Sequence, residues 1–424
     1  MKRVILVTPY FLPSNLAGVQ RVRLMSRSLK DNGWNPTIVT VDHRYYEERN
    51  DLASLRLLPD DLAIERVTAW PARMCRPIGI GDISLRAQFT LRRRVGELIQ
   101  KLRPSLIFTT VLPGYTGLIG AWAKRRFNIP FVLDYQDPWV PKVARVDARW
   151  TKAGIADRLA RWLEPKMLRQ VDGLTAVSDE TLDTLRSRNL IDPKIPIEII
   201  PIGADREDHA IAKQFGNSFI KREPETFHIA YVGTLTKKML PALEGVLAAV
   251  RKAQTENEKK NSIHLIGTSA QPDGKDQHDL TALFDKHALR GCVQLHPARV
   301  GYLDALRTMQ DADLLLLLGS TDSHYTASKL FPYWLSGKPV LGLFHEASTI
   351  VSLSRELGDV SLVLYNDKIS PQIKVNETAH LISQILKGER SMSHRNENAF
   401  APFSSEGIAA RYARFFDKVC QQCA

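Results

Sequence analysis

The sequence predicts an α/β protein of two parallel-sheet domains, each wound on both faces by helices, and three observations predict it. At 424 residues the chain is long for one core and suits two of about 200 residues each. Short β-rich apolar runs alternate with amphipathic stretches from end to end, the pattern of parallel strands covered by helices. A polar stretch from Arg206 to Glu225 divides these runs into two series and reads as a linker with a helical turn.

In the first series the strand candidates are residues 4–8 (VILVT), 37–41 (TIVTV), 106–110 (LIFTT), 131–135 (FVLDY), 174–178 (LTAVS) and 197–201 (IEIIP). The second series has 229–233 (IAYVG), 263–267 (IHLIG), 293–297 (VQLHP), 313–319 (DLLLLLG), 339–344 (PVLGLF) and 361–365 (SLVLY). The expected domains are therefore residues 1–205 and 206–400. They are followed by a terminal helix in 401–424 that starts near Ser404 and Ser405 and spaces Ile408, Tyr412, Phe415 and Phe416 for one apolar face.

Composition narrows the classes. Hydrophobic residues at 44% and charged residues at 25% are ordinary globular values. No apolar run approaches the roughly 20 residues that cross a bilayer, and the N-terminal run meets Pro9 too early for a signal peptide, so the expectation is a cytoplasmic protein. Four cysteines are too few for a disulfide framework, and the Cys420–Cys423 spacing lacks the further ligands of a zinc site. The net charge of +12 is uneven, with 34 Lys and Arg against 24 Asp and Glu in residues 1–220. Such a field favours acidic partners without choosing among them.

The loop PYFLPSNLAGVQ after the first strand leads into a helix with Val22, Met25 and Leu29 on one face. A glycine at a strand-to-helix turn lets backbone approach a ligand, and helix N-termini favour anions, so Gly18 and Arg21 are candidates to face substrate. The alternative is a plain connecting turn. GxGxxG is lacking, so a nicotinamide-type reading is unsupported.

These residues resemble glycosyltransferase family 4: VILVTPYFLPSNLAGVQRVRLMSRSLKDNGWNPTIVTV is similar to that family's opening strand, glycine loop, Arg-bearing helix and second strand. Five further segments follow in the family's order: IPFVLDYQDPW at 129–139, WLEPKMLRQVDGLTAVS at 162–178, IEIIPIGAD at 197–205, IAYVGTLTKK at 229–238 and YTASKLFPYWLSGKPVLGLF at 325–344. The resemblance implies the GT-B fold, two Rossmann-like domains facing across a cleft with the C-terminal helix returning toward the N-terminal domain. It implies a retaining, metal-independent glycosyltransferase without a cofactor. Such an enzyme holds an acceptor, here a sugar or lipid-linked saccharide of surface-polysaccharide assembly, on the first domain. It holds a nucleotide-sugar, with UDP or GDP, on the second.

Without a metal, side chains and helix dipoles must neutralise the diphosphate. Lys237 and Lys238, just past the strand ending in Gly233 and Thr234, are candidates for this, with Lys238 catalytic; a solvated lysine pair is the alternative. A helix opening at Ser328 and Lys329 is the second expected phosphate contact, and Gly18 is counted with the donor contacts. Gly337 and Pro339 end that helix. Asp134 and Asp137 sit where a strand meets its carboxyl edge and are candidates to orient the acceptor hydroxyl, Asp137 as catalytic residue; capping the loop and holding the turn before Pro138 are the alternatives.

Three features depart from the family. Two glutamates expected with seven residues between them correspond to His324 and Pro332, an expected Arg is Thr234, and no His follows the third strand, leaving Thr110 or the amides around Gly114 to meet the acceptor. A nucleotide-sugar epimerase on the same fold and a non-catalytic binding protein are the rival readings.

A helix over SLRAQFTLRRRVGELIQKL is expected to turn Leu85, Phe89, Val95, Leu98 and Leu102 to the core and Arg86, Arg92, Arg93, Arg94 and Lys101 outward. Lys124, Arg125 and Arg126 add to this, as do Lys142, Arg145, Arg149, Lys152, Arg158 and Arg161 with Trp139, Trp150 and Trp162. Arg with Trp suits an anionic headgroup layer, so peripheral membrane docking of the first domain is expected, with a solvated charged face as the alternative and no nucleic acid.

Overall fold

The computed structural model describes residues 1–140, 151–255, 260–271, 273–275, 279–321, 328–389 and 394–423. It divides into two compact units, Met1–Gly203 with Pro402–Ala424, and Ala204–Ala401.

The first unit is built on seven parallel strands, β1 (Lys2–Val7), β2 (Trp34–Val41), β3 (Ala63–Val67), β4 (Leu106–Thr110), β5 (Phe131–Tyr135), β6 (Gly173–Ala176) and β7 (Ile197–Ile199). Their order is β3-β2-β1-β4-β5-β6-β7. Every residue of β4 and β5 is buried, which is why LIFTT and FVLDY read as unbroken apolar runs and not as alternation. The sequence did not mark β3: its AIERV carries Glu65 and Arg66 because it lies at the sheet edge beside β2, where charge blunts further pairing.

The second unit has six parallel strands, β8 (Thr226–Val232), β9 (Lys260–Ile266), β10 (Val293–His296), β11 (Leu314–Leu318), β12 (Val340–His345) and β13 (Val360–Tyr365). Their order β10-β9-β8-β11-β12-β13 repeats the doubly wound pattern of the first sheet. All six follow the runs read from the sequence. The expected linker is instead largely a ten-residue helix, Arg206–Phe215, capped by Asp205, whose side chain accepts from Glu207 N. Its polar residues misled because two are buried against their own unit: Tyr302 donates to Asp208 at 3.1 Å, and Gln310 donates to the His209 carbonyl at 2.8 Å.

The terminal helix Ser405–Cys423 belongs to the first unit and buries Ile408, Tyr412, Phe415, Phe416 and Val419. Phe416 meets Trp34 edge-on at 5.4 Å and Tyr412 meets Phe108 at 5.6 Å. The expected basic helix is broken at Ala87 into Ile83–Arg86 and Gln88–Leu102. The second piece buries Leu91, Val95, Leu98 and Ile99 and leaves Phe89 exposed. Arg86 points inward, donating to the carbonyls of Trp70 and Tyr45. Arg93 and Arg94 pair with Glu97, Arg94 also with Glu65, and Lys124 pairs with Asp172. Three acids thus offset part of the charge of that face, and Arg125 and Arg126 stand exposed beside them. Lys142, Arg145, Arg149 and Trp150 lie outside the described residues.

Candidate functional site

Each sheet reverses its direction of winding once, between β1 and β4 in the first unit and between β8 and β11 in the second. Ligands of open parallel sheets bind outside the carboxyl ends of the strands at such switch points.

In the first unit Gly18 stands at this place, just before the helix Val19–Ser28. A Cβ there would overlap Leu112, from the loop after β4, and lie 2.7 Å from Gln136 Oε1, from the loop after β5. Gln136 is buried, and its Oε1 has no hydrogen-bond partner among the described residues. This orphaned acceptor was not read from the sequence, where it is one amide between two aspartates. Asp137 follows it and is exposed; desolvation by the surrounding atoms raises its pKa above the ordinary carboxylate value. Gly114 is closed off by packing, since a Cβ on it would overlap the Trp139 ring, which also meets Tyr115 edge-on at 4.9 Å. Thr110 is buried and donates to Thr8 at 3.4 Å.

Arg21 and Asp134 are corrected. Their side chains are 1% and 0% exposed and face one another, with Arg21 Nη2 at 2.6 Å from Asp134 Oδ1 and Nε at 3.1 Å from Oδ2. Arg21 Nη1 donates to the Ile200 carbonyl, while Thr175 and Tyr412 donate to Asp134 Oδ1 at 2.6 and 3.2 Å. The Tyr412 ring lies 5.3 Å from the guanidinium carbon. This bidentate pair ties the first helix, β5, β6 and the terminal helix together. It offers no open face to an acceptor.

In the second unit the chain leaves β8 through Gly233 at φ +132°, a conformation that strains a residue bearing Cβ. Gly233 also leaves room for Lys329: a Cβ would overlap the lysine side chain. Lys329 Nζ donates to Tyr231 Oη at 2.8 Å and to the Thr234 carbonyl at 3.3 Å, and sits 4.5 Å from the Tyr231 ring centre. Tyr231 in turn donates to the Thr234 carbonyl at 2.6 Å. No carboxylate among the described residues pairs with Lys329, and desolvation lowers its pKa to about 7. A desolvated cation held by neutral dipoles at a switch point is arranged to receive an anion. Tyr231 was missed because a tyrosine in a strand reads as core.

The remaining donor candidates spread around this lysine. Lys237 and Lys238 are exposed in the turn Lys237–Met239, and Thr321 N, beyond β11, donates to the Lys238 carbonyl at 3.0 Å. Ser328 is exposed, and His324 lies outside the described residues. The helix expected from Ser328 is Leu330–Leu335, six residues, too short for the dipole role anticipated for it. Pro332 occupies its first turn, where a missing N–H costs nothing. Gly337, at φ +74°, ends the helix as read. Among the described residues no group of three or more His, Cys, Asp or Glu is placed to hold a metal ion, and no helix is long and apolar enough to cross a membrane.

Two doubly wound units of the same strand order define a protein of the GT-B fold. Residues 17–203, within the first unit, match the family model of the glycosyl transferase 4-like domain. The chain is 13% identical to HepE of Anabaena in complex with UDP and glucose, with a TM-score of 0.61 over 99% of this chain and 100% of that one. It is 12% identical to the N-terminal domain of trehalose-6-phosphate phosphatase of Candida albicans, with a TM-score of 0.58 over 99% and 97%. These likenesses establish the fold. No curated protein matches the sequence.

Proposed function

We propose that the protein is a retaining, metal-independent glycosyltransferase that moves a sugar from a nucleotide-sugar to a hydroxyl of a lipid-linked saccharide in surface-polysaccharide assembly. The observation that carries this reading is Lys329, a desolvated lysine with no carboxylate partner among the described residues, at the switch point of the second sheet. In this reading it holds the diphosphate, with Lys237 and Lys238 as further cations on the leaving group. UDP is the first donor base to test, because HepE was crystallised with UDP and glucose.

In the proposed reaction the bond between the sugar's anomeric carbon and the phosphate oxygen breaks as the acceptor oxygen bonds to that carbon on the same face. The acceptor proton passes to the departing phosphate oxygen, so a dedicated base is unnecessary, and Asp137 orients the acceptor. Thermal denaturation against UDP, GDP, ADP, CMP and TDP tests the reading, since a ligand that binds only the native state raises its apparent stability. The expected result is a shift with one nucleotide, lost on Lys329→Met. Absence of a shift with all five would contradict it.

A further inference from the structure

The helix Lys152–Leu168 turns part of its apolar surface to solvent. It buries Gly154, Ala160, Glu164, Met167 and Leu168 against its unit. Yet its bulky apolar residues Ile155, Leu159 and Trp162 stand 51%, 39% and 59% exposed. Spaced by four and three, these three share one stripe about 10 Å long. Lys152 and Lys166 flank the stripe at helical spacing, and Lys166 Nζ lies 3.2 Å from the centre of the Trp162 ring.

A second apolar group adjoins its N-terminal end. Lys152 Nζ donates to the Arg76 carbonyl at 3.3 Å, and around that residue Trp70, Met74 and Ile78 are 61%, 67% and 70% exposed. Isolated exposed apolar side chains need no explanation, but contiguous ones rimmed by charge mark an interaction surface. The charge is of one sign. Both acids of the helix are neutralised within the unit, Asp157 by Arg161 at 2.9 Å and Glu164 by Arg188 at 2.5 Å. Lys152, Lys166, Arg169 and Arg73 remain at the surface.

We infer that this face is an in-plane docking surface for an anionic lipid bilayer, with Ile155, Leu159, Trp162, Trp70, Met74 and Ile78 entering the headgroup boundary and the lysines meeting lipid phosphates. An outward stripe of large apolar residues with basic flanks is the composition of an interfacial helix, and tryptophan and lysine are the residues that settle at headgroup depth. The inference places the membrane contact on the helix Lys152–Leu168 and not on Gln88–Leu102, whose Arg93 and Arg94 are paired with Glu97. It rests on the transferase reading only for its purpose, delivery to a lipid-linked acceptor, and not for its geometry.

The test is co-flotation of the full chain with phosphatidylglycerol-containing vesicles and with phosphatidylcholine vesicles at physiological salt. It compares wild type with the variant Ile155→Ser, Leu159→Ser, Trp162→Ser, which alters only exposed side chains, and with Lys152→Gln, Lys166→Gln. Wild type is expected to float with the anionic vesicles alone. The triple variant should lose roughly tenfold or more of that partition, and the lysine variant should lose a smaller part of it. The UDP-induced thermal shift should persist in every variant, showing an intact fold. Equal flotation of wild type and triple variant, or no preference for anionic vesicles, overturns the inference. So does a lipid-free dimer by light scattering that the triple substitution dissociates, since the stripe would then be a contact between copies. Failure of the UDP shift in wild type would count against the transferase reading, while flotation still decides the surface.

Discussion

Arg21 in the first unit and Lys329 in the second are both desolvated cations, and their surroundings are opposite. Arg21 faces a carboxylate that also accepts from Thr175 and Tyr412; Lys329 faces a phenol and a backbone carbonyl. A buried ion pair that satisfies itself is part of the fold, whereas a cation left with dipoles alone lacks a partner that a substrate can supply. Burial by itself therefore does not find the site. The lack of a counter-ion among the described residues is what singles out Lys329 as the candidate.

The largest expected effect breaks the first half of this contrast. Asp134→Ala leaves Arg21 charged and unpaired in the core and should cost about 3–5 kcal/mol of stability, read as a fall in urea midpoint. Lys329→Met should do the reverse in the second unit, leaving the ligand-free melting temperature unchanged or higher, because it removes a desolvated charge with no ion pair to lose. A destabilisation comparable to that of Asp134→Ala would show that the two cations play the same structural part. Gly233→Ala comes next. A residue at φ +132° pressed against Lys329 should cost about 1–3 kcal/mol and weaken UDP binding in the same protein, by calorimetry.

A smaller effect separates the units by pH. In the second unit His228 Nδ1 and His264 Nε2 lie 3.1 Å apart in the core, and burial lowers both pKa values, that of His264 to about 4. The unfolded chain, at the ordinary 6.5, binds more protons between these values. Stability should be full above pH 6.5 and fall as pH drops toward 4. His264→Gln should flatten that limb of the melting curve. The smallest effect is that of Asp137→Asn, expected to leave UDP affinity unchanged and to lower turnover by less than about tenfold, since the departing phosphate takes the proton.

The same contrast explains how much was legible in the sequence. Fully buried parallel strands announce themselves, so LIFTT, FVLDY and LLLLL could be placed by eye, while the edge strand Ala63–Val67 hid behind Glu65 and Arg66. The terminal helix was legible because Ile408, Tyr412, Phe415 and Phe416 keep helical spacing. Charged residues at strand ends were located correctly, but their partners were not. Nothing in the local pattern joins Arg21 to Asp134, 113 positions away, or tells that Lys329 lies across Gly233 from Tyr231. Pairing over such separations is decided by sheet order, and with it whether a charge is spent or still available.

The most direct test of Lys329 as the diphosphate anchor is the affinity for UDP, measured by calorimetry across pH in wild type and in Lys329→Met. With its pKa near 7 when free and raised by a bound phosphate, the lysine takes up a proton on binding. Wild-type affinity should therefore weaken steadily as pH rises above 7. The variant should bind about 10- to 100-fold more weakly at pH 7, the loss of one charge-assisted contact, and without that slope. Equal affinity and an equal slope in the two proteins would contradict the assignment.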